Sequence, residues 1–346
     1  MTNQKMLSRL DEVLRDRENL LIITHTNPDP DAISSALALS HLVRERTHLD
    51  TSIAYTGTIG RAENLAMVRL LGIKMKKLNR LNLERYDALA LVDGQPGAGN
   101  TPNLEYDIII DHHPRRRDTH APLTVINPKI GVTATILVSW LREGKVSLTA
   151  PLATALTYGI SSETENLGRE TRPDDIAAYL FVYGKARLRI LAEIIHASYP
   201  PTYFHTLHRA LTQAVSYRQL IFTDLEEVPT PELVAEMADL LLRHRRITWS
   251  LVIGKFRKTL ILSLRTSNRK GDAGRLIKNL VADPNEAGGH DSMAGGAVPL
   301  DSDSLNQYRK IAQDLRERFA RLLGHAGASW KPVIDDTRDN ESDPAG

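Results

Sequence analysis

Cysteine is absent from the 346 residues, which excludes disulfides, thiolate nucleophiles and Cys-ligated zinc. Any metal must then be held by His, Asp and Glu, a donor set suited to manganese, magnesium or iron rather than to structural zinc. Aromatic residues make up only 5% of the chain, too few to argue for a platform that stacks single-stranded bases. Neither sign of charge dominates: 44 basic residues against 42 acidic ones leave +2. A grip on long duplex nucleic acid shows as a strong basic excess, so none is expected, whereas small anionic ligands fit. No apolar run approaches the roughly 20 residues that span a bilayer. The first segment, MTNQKMLSRLDEVLRDREN, is charged throughout and lacks the apolar stretch of a secretory signal. A cytoplasmic protein with no membrane partner is expected.

What is present is an alternation of strand-like and helical stretches. Leu7, Leu10, Val13 and Leu14 keep helical spacing, and Leu20–Ile23 is an unbroken apolar run, as in a strand buried on both faces. A helix over Ala32–Val43, a strand over Ser52–Tyr55 and a helix over Arg61–Leu71 follow, then strands at Ala88–Val92 and Ile108–Ile110. This order predicts an α/β fold built on a mainly parallel sheet with flanking helices. From Thr133 to about Tyr217 the pattern is helical, after which strands at Ser250–Ile253 and Leu260–Leu264, a Gly-rich stretch at 288–296 and a helix near Ser304–Leu323 indicate a smaller mixed α/β domain. The expected division is a first domain over 1–185, a helical connector over 186–216, a second domain over 217–326 and a disordered tail over 327–346, where Asp, Asn, Pro and Gly accumulate.

Chemistry gathers at the predicted strand ends. His25, Asp29 and Asp31 fall within seven residues directly after the first apolar strand, with Pro28 and Pro30 stiffening the loop between them. The plain alternative is a polar turn in which Asp31 caps the following helix. Asp93 closes the run ALALV, and Asp111-His112-His113 closes DIII. Open parallel sheets bind ligands beyond the carboxyl ends of their strands, so three strands delivering Asp or His to one edge form a constellation. Ser161-Ser162-Glu163-Thr164-Glu165 adds a further acidic cluster. Imidazoles with several carboxylates suit a pair of divalent cations, and such a pair can serve displacement at phosphorus. Arg115–Arg117 and Arg243–Arg246 read as solvated charge runs.

HTNPDPDAISSALAL, LVDG, IIIDHHP and YGISSETENLG resemble, in order and spacing, the four motifs of the DHH phosphoesterase superfamily. SLRTS and AGGHDSMAGG resemble the substrate-binding elements of the C-terminal domain associated with it. The resemblance spans about 20–300 and is nearest to the branch of oligoribonucleases and phosphoadenosine-phosphate phosphatases. It implies that His25, Asp29, Asp31, Asp93, His112 and Glu163 hold two divalent cations, manganese in the first place and magnesium as the alternative. Asp93 would bridge both. Asp111 would orient His112, and His113 would lie near the phosphate as hydrogen-bond donor or acid. Arg265, Gly288, Gly289 and His290 would bind the substrate's phosphate or terminal nucleotide, with Arg61 as a further contact. Two positions depart from the family: Glu163 stands where Asp is usual, and Pro30 where Gly is.

The implied activity is hydrolysis of short oligonucleotides, linear dinucleotides or 3′-phosphoadenosine 5′-phosphate. A RecJ-like single-strand exonuclease is the enzymatic alternative, and a non-catalytic nucleotide-binding regulatory protein is the alternative of a different class. A homodimer is left open.

Overall fold

Residues 2–98, 101–289, 292–300 and 305–334 are described in a computed structural model of the chain. They divide into two units, Met1–Ser198 and Tyr199–Gly346.

The first unit runs α1 (Asn3–Leu14), β1 (Asn19–Thr24), α2 (Pro30–Thr47), β2 (Asp50–Tyr55), α3 (Ala62–Leu71), β3 (Met75–Lys77), β4 (Ala88–Val92), β5 (Ile108–Asp111), β6 (Leu123–Ile126), α4 (Thr133–Glu143), α5 (Ala150–Glu163), α6 (Pro173–Tyr183) and α7 (Leu188–Ile195). Its six strands are all parallel, in the order β3-β2-β1-β4-β5-β6. The unbroken apolar runs arise because both sheet faces are buried. Leu20 and Ile22 pack with α1, α2, α4 and α5 around Trp140, while Leu21 and Ile23 point the other way, toward Leu91, Ile109 and Tyr106. The order reverses between β1 and β4, which pair in register from Leu20↔Ala88 to Thr24↔Val92. The crevice at such a reversal is where open α/β sheets place their ligands.

Two helices bring the rest of the site to that crevice. Asp29 caps α2: its Oδ1 accepts from the Ala32 N–H at 2.9 Å, and Pro30 takes the first helical position. The cap is thus Asp29 rather than Asp31. α5 lies against this first turn closely enough that a Cβ on Gly159 would stand 2.2 Å from Ser34 Oγ and 2.9 Å from Pro30 O. That approach carries Glu163, one turn further along α5.

The second unit runs α8 (Pro201–Thr212), β7 (Val215–Tyr217), β8 (Leu220–Glu227), α9 (Glu232–Leu242), β9 (Trp249–Phe256), β10 (Thr259–Thr266), α10 (Ala273–Leu280), β11 (Ala287–Gly289), β12 (Met293–Pro299), α11 (Leu305–Leu322) and β13 (Lys331–Pro332). Its sheet, β11-β12-β10-β9-β8-β7-β13, is antiparallel except for the parallel pair β8–β9. Leu251, Leu262 and Leu264 pack with α10 and α11 on one face, and Ile221, Leu225 and Val252 pack with α8 and α9 on the other.

Two expectations about organisation change. The helical connector over 186–216 does not stand apart: Leu191 and Ile194 of α7 join the first unit's cluster with Met67 and Tyr158, whereas Ala210 of α8 joins the second unit's core. The Gly-rich stretch is paired in its described part, through Gly288↔Gly295 of β11 and β12. The tail is ordered at its start. Lys331 and Pro332 pair with Ser216 and Val215, and Trp330 stacks on Phe319 at 6.5 Å. Polar composition hid these apolar anchors; 335–346 lie outside the described residues. No helix among the described residues is long and apolar enough to cross a membrane.

Gly159→Ala weighs helix propensity, which favours Ala by ~1 kcal/mol, against overpacking of α2, which costs ~1–3 kcal/mol. With the backbone carbonyl of Pro30 only 2.9 Å away, overpacking should win and urea should unfold the variant earlier. An unchanged or raised midpoint would mean that α2 yields freely.

Candidate metal centre

His25 follows β1, Asp93 follows β4 and His112 follows β5, so three neighbouring strand ends deliver them to one edge. His25 Nδ1 lies 3.0 Å from the Thr26 carbonyl. A carbonyl only accepts, so Nδ1 carries the proton there and Nε2 turns inward. That Nε2 stands 3.5 Å from Asp29 Oδ2 and 3.5 Å from Asp93 Oδ2, and His112 Nε2 is 3.7 Å from Asp93 Oδ1. Two groups of potential ligands result, His25–Asp29–Asp93 and Asp93–His112–His113, each with its atoms within 4.8 Å of one another. Ligands ~2.0–2.2 Å from one ion sit roughly 3–3.5 Å apart, so these spacings suit an ion better than direct hydrogen bonds. Asp93 belongs to both groups, one oxygen toward each.

Asp93 is held in an unusual posture. It is 3% exposed and adopts φ 57°, a left-handed conformation that Asp tolerates better than most residues. Its N–H donates to Ile110 O at 2.9 Å, and its Oδ1 accepts from Thr133 Oγ1 at 2.8 Å. Thr133 is a supporting residue that its sequence context, TATILVSW, marked only as the start of a helix.

Asp31 is also buried, and its oxygens take three protein donors. Oδ2 accepts from the Thr133 N–H at 2.7 Å, and Oδ1 accepts from the Ala134 N–H at 2.8 Å and from Ser35 Oγ at 3.1 Å. The amino end of α4 therefore faces this carboxylate, a favourable meeting of charge and helix dipole. Asp31 and Glu163 stand outside the two compact groups. Both nonetheless register the crowding: burial first, then the charges of Asp29 and Asp93, pushes Glu163 up to about 7, and burial with Asp93, Asp29 and Glu163 raises Asp31 well above the usual carboxylate range. Carboxylates packed this densely call for cations.

One orienting role is corrected. Asp111 bonds His113, not His112: Asp111 Oδ1 accepts from His113 Nδ1 at 2.8 Å. Successive residues at a strand end point to opposite sides, so 111 and 113 share one side and 112 takes the other. Burial opposes a charge on His113, but the Asp111 bond and the Asp93 charge lift it to about 9.

Arg61 precedes α3, and its charge acts on the Tyr158 hydroxyl of α5. In the second unit, Arg265 lies on β10 beside Met293 of β12, whose neighbour Ala294 pairs with Gly289. Gly289 adopts φ 152°, and a Cβ there would lie 2.4 Å from Met293 O, so only glycine fits. Gly288 is exposed, and a Cβ on it would meet nothing within 4 Å. His290 lies outside the described residues.

Residues 19–160 match the DHH family, N-terminal domain. An uncharacterized protein of Methanocaldococcus jannaschii is 33% identical over 320 residues, covering 88% of this chain and 64% of that one. A probable manganese-dependent inorganic pyrophosphatase of Streptococcus agalactiae is 27% identical over 150 residues, 42% of this chain and 48% of that one. The chain thus spans less than two thirds of the length of these relatives. An exopolyphosphatase-related protein from Bacteroides fragilis shares the fold, with a TM-score of 0.73 over 93% of this chain and 98% of that chain at 16% identity.

Burial disfavours charge on His25, yet Asp29 and Asp93 hold its pKa well above the ordinary imidazole value. Despite its own burial, Asp29 is held down at about 2, chiefly by His25. A cation binding here must therefore displace a proton, and its affinity should rise with pH until His25 titrates. Titrating Mn2+ calorimetrically in buffers of different ionisation enthalpy should show proton release and tighter binding from pH ~6 to ~9. Affinity independent of pH, with no proton released, would contradict the assignment of His25.

Proposed function

We propose that the chain is a metal-dependent phosphoesterase acting on short nucleotidic phosphates, a reading supported by the match of residues 19–160 to the DHH family, N-terminal domain. The observation that carries this reading is the sharing of one buried carboxylate, Asp93, between two ligand groups, the arrangement needed to hold two cations close together. His25 and Asp29 would serve one ion, His112 and His113 would border the other, and Asp93 would join them. Asp31 and Glu163 would complete the negative charge around the pair. When bound, such ions stabilise charge on phosphoryl oxygens and make water a nucleophile at neutral pH. Manganese fits a donor set in which carboxylates accompany the imidazoles and agrees with the stated dependence of the streptococcal relative.

The protein's own groups supply the rest. His113 is half exposed and has its Nδ1 proton on Asp111. Its Nε2 is thereby free to give a hydrogen bond or a proton to a phosphoryl or leaving-group oxygen when the ring is charged. In the second unit, Arg265 would pair with a substrate phosphate, and the bare backbone at Gly288 and Gly289 would admit an anion closely. The small net charge, 44 basic against 42 acidic residues, favours short substrates over long strands.

Protein stripped with a chelator should lose hydrolysis, and Mn2+ should restore it better than Mg2+. Activity should be greatest on dinucleotides or 3′-phosphoadenosine 5′-phosphate and fall along a ladder of chain lengths. Full activity after chelation would refute the metal mechanism, and rates that climb with strand length would favour the exonuclease instead.

Arg265→Ala removes a phosphate contact and leaves every proposed metal ligand in place, so KM should rise while bound manganese stays constant. Loss of metal, or an unchanged KM, would exclude Arg265 from substrate binding.

A further inference from the structure

The turn after β4 contains a residue with no role so far, Gln95. Its side chain is buried, 2% exposed, and all four of its hydrogen-bonding positions are used. Nε2 donates to Asp111 Oδ2 at 2.7 Å and to Pro114 O at 3.1 Å. Oε1 accepts from the Arg116 N–H at 2.8 Å and from Thr119 Oγ1 at 2.8 Å. Only one amide orientation satisfies this set. A flipped amide would press Oε1 against the Asp111 carboxylate and the Pro114 carbonyl, and would turn its N–H groups on the Arg116 N–H.

The two oxygens of Asp111 are thereby divided: Oδ1 receives His113 Nδ1 and Oδ2 receives Gln95. Asp111 has no exposure at all, whereas the His113 side chain is 51% exposed. Besides its bond to Asp111, the ring makes a tilted contact with His112, at 4.3 Å and 54°. The ring's direction therefore depends on a buried carboxylate, and that carboxylate's rotation is fixed by a buried amide anchored in the loop beyond it. We infer that Gln95 is a positioning residue for His113, acting through Asp111. This rests on the proposed role of His113 beside the reacting phosphate and extends the site to a residue that touches neither cation nor substrate.

Two variants separate positioning from packing. Gln95→Met keeps length and removes all four bonds. Gln95→Glu keeps the acceptor edge toward Arg116 and Thr119 and removes the donor to Asp111. With 3′-phosphoadenosine 5′-phosphate and a dinucleotide as substrates, both should lower kcat by ~10–100-fold, as loss of an outer partner does in metal sites. KM, manganese content and the urea midpoint of Gln95→Glu should change little. The decisive comparison is with His113→Ala: if Gln95 works through His113, adding Gln95→Met to His113→Ala lowers kcat no further. Wild-type kcat in both Gln95 variants, or a double variant that loses the full product of the two factors, would overturn the inference. An unmutated protein inactive on every substrate would refute the phosphoesterase reading instead. The positioning claim is then read from the NMR signal of the His113 Nδ1 proton: a shift in Gln95→Glu supports it and an unmoved signal overturns it.

Discussion

Because β1 pairs with β2 on one side and β4 on the other, the chain leaves their carboxyl ends in diverging directions and opens a crevice between them. Asp93 has to enter that crevice as a charged group with almost no solvent, 3% exposed. A side chain arriving along the extended strand direction would miss it. The left-handed turn at φ 57° bends the chain so that the carboxylate points inward, and the bond from the Asp93 N–H to Ile110 O anchors the turn to β5. Such a conformation costs on the order of 1–2 kcal/mol for a residue other than glycine. The bond to Ile110 and the Thr133 hydroxyl offset that cost. Both ligand groups depend on this one corner, so displacing it would dismantle them together.

The charge balance around the corner follows a consistent division. Asp31, 1% exposed, is met by backbone N–H groups at the start of α4 and by Ser35. Asp29 and Asp93 instead face His25, whose imidazolium supplies a positive charge. The first arrangement is permanent, since backbone donors cannot leave. The second is exchangeable, since a proton can give way to a divalent ion. One carboxylate is thus met by fixed donors of the fold, and the others by a titratable group that a divalent ion can displace. Burial, with the charges of Asp29 and Asp93, lifts Glu163 to about 7, so it too gains from a nearby cation.

Much of this was legible in the sequence, for a physical reason. Strands buried on both faces leave unbroken apolar runs, so β1, β4 and β5 and the Asp or His residues ending them could be read directly. Edge strands leave no such trace: β3 reads MKK and β6 reads LTVI, short segments on which burial imposes little pattern. The pairing of Asp111 with His113 follows from strand alternation, but it is visible only once the strand is known to run through Asp111 itself. Thr133 and Gln95 were not legible, because their partners lie 40 and 16 residues away and neither residue type announces such a bond. In the second unit the need for glycine at 289, where a Cβ would strike the backbone of Met293 and Ala294, likewise appears only once β11 and β12 are paired.

Arg265 shows how the second unit limits what it can bind. Its Nε donates to Asp239 Oδ1 at 2.5 Å, and Nη1 donates to the carbonyls of Leu264 and Ala294 at 3.1 and 3.5 Å. Nη2 is left as the guanidinium nitrogen with no partner among the described residues, so a phosphate would meet one edge of the group rather than its full fork. The Asp239 carboxylate also offsets part of the positive charge at that point. In its proposed role such an arginine would discriminate by direction more than by attraction, favouring an anion presented at one angle and adding little for anions further along a chain. Repeated along a strand, attraction of this kind would not accumulate with length. Under the role proposed for Arg265, this geometry suits a small phosphate-bearing terminus better than a long strand.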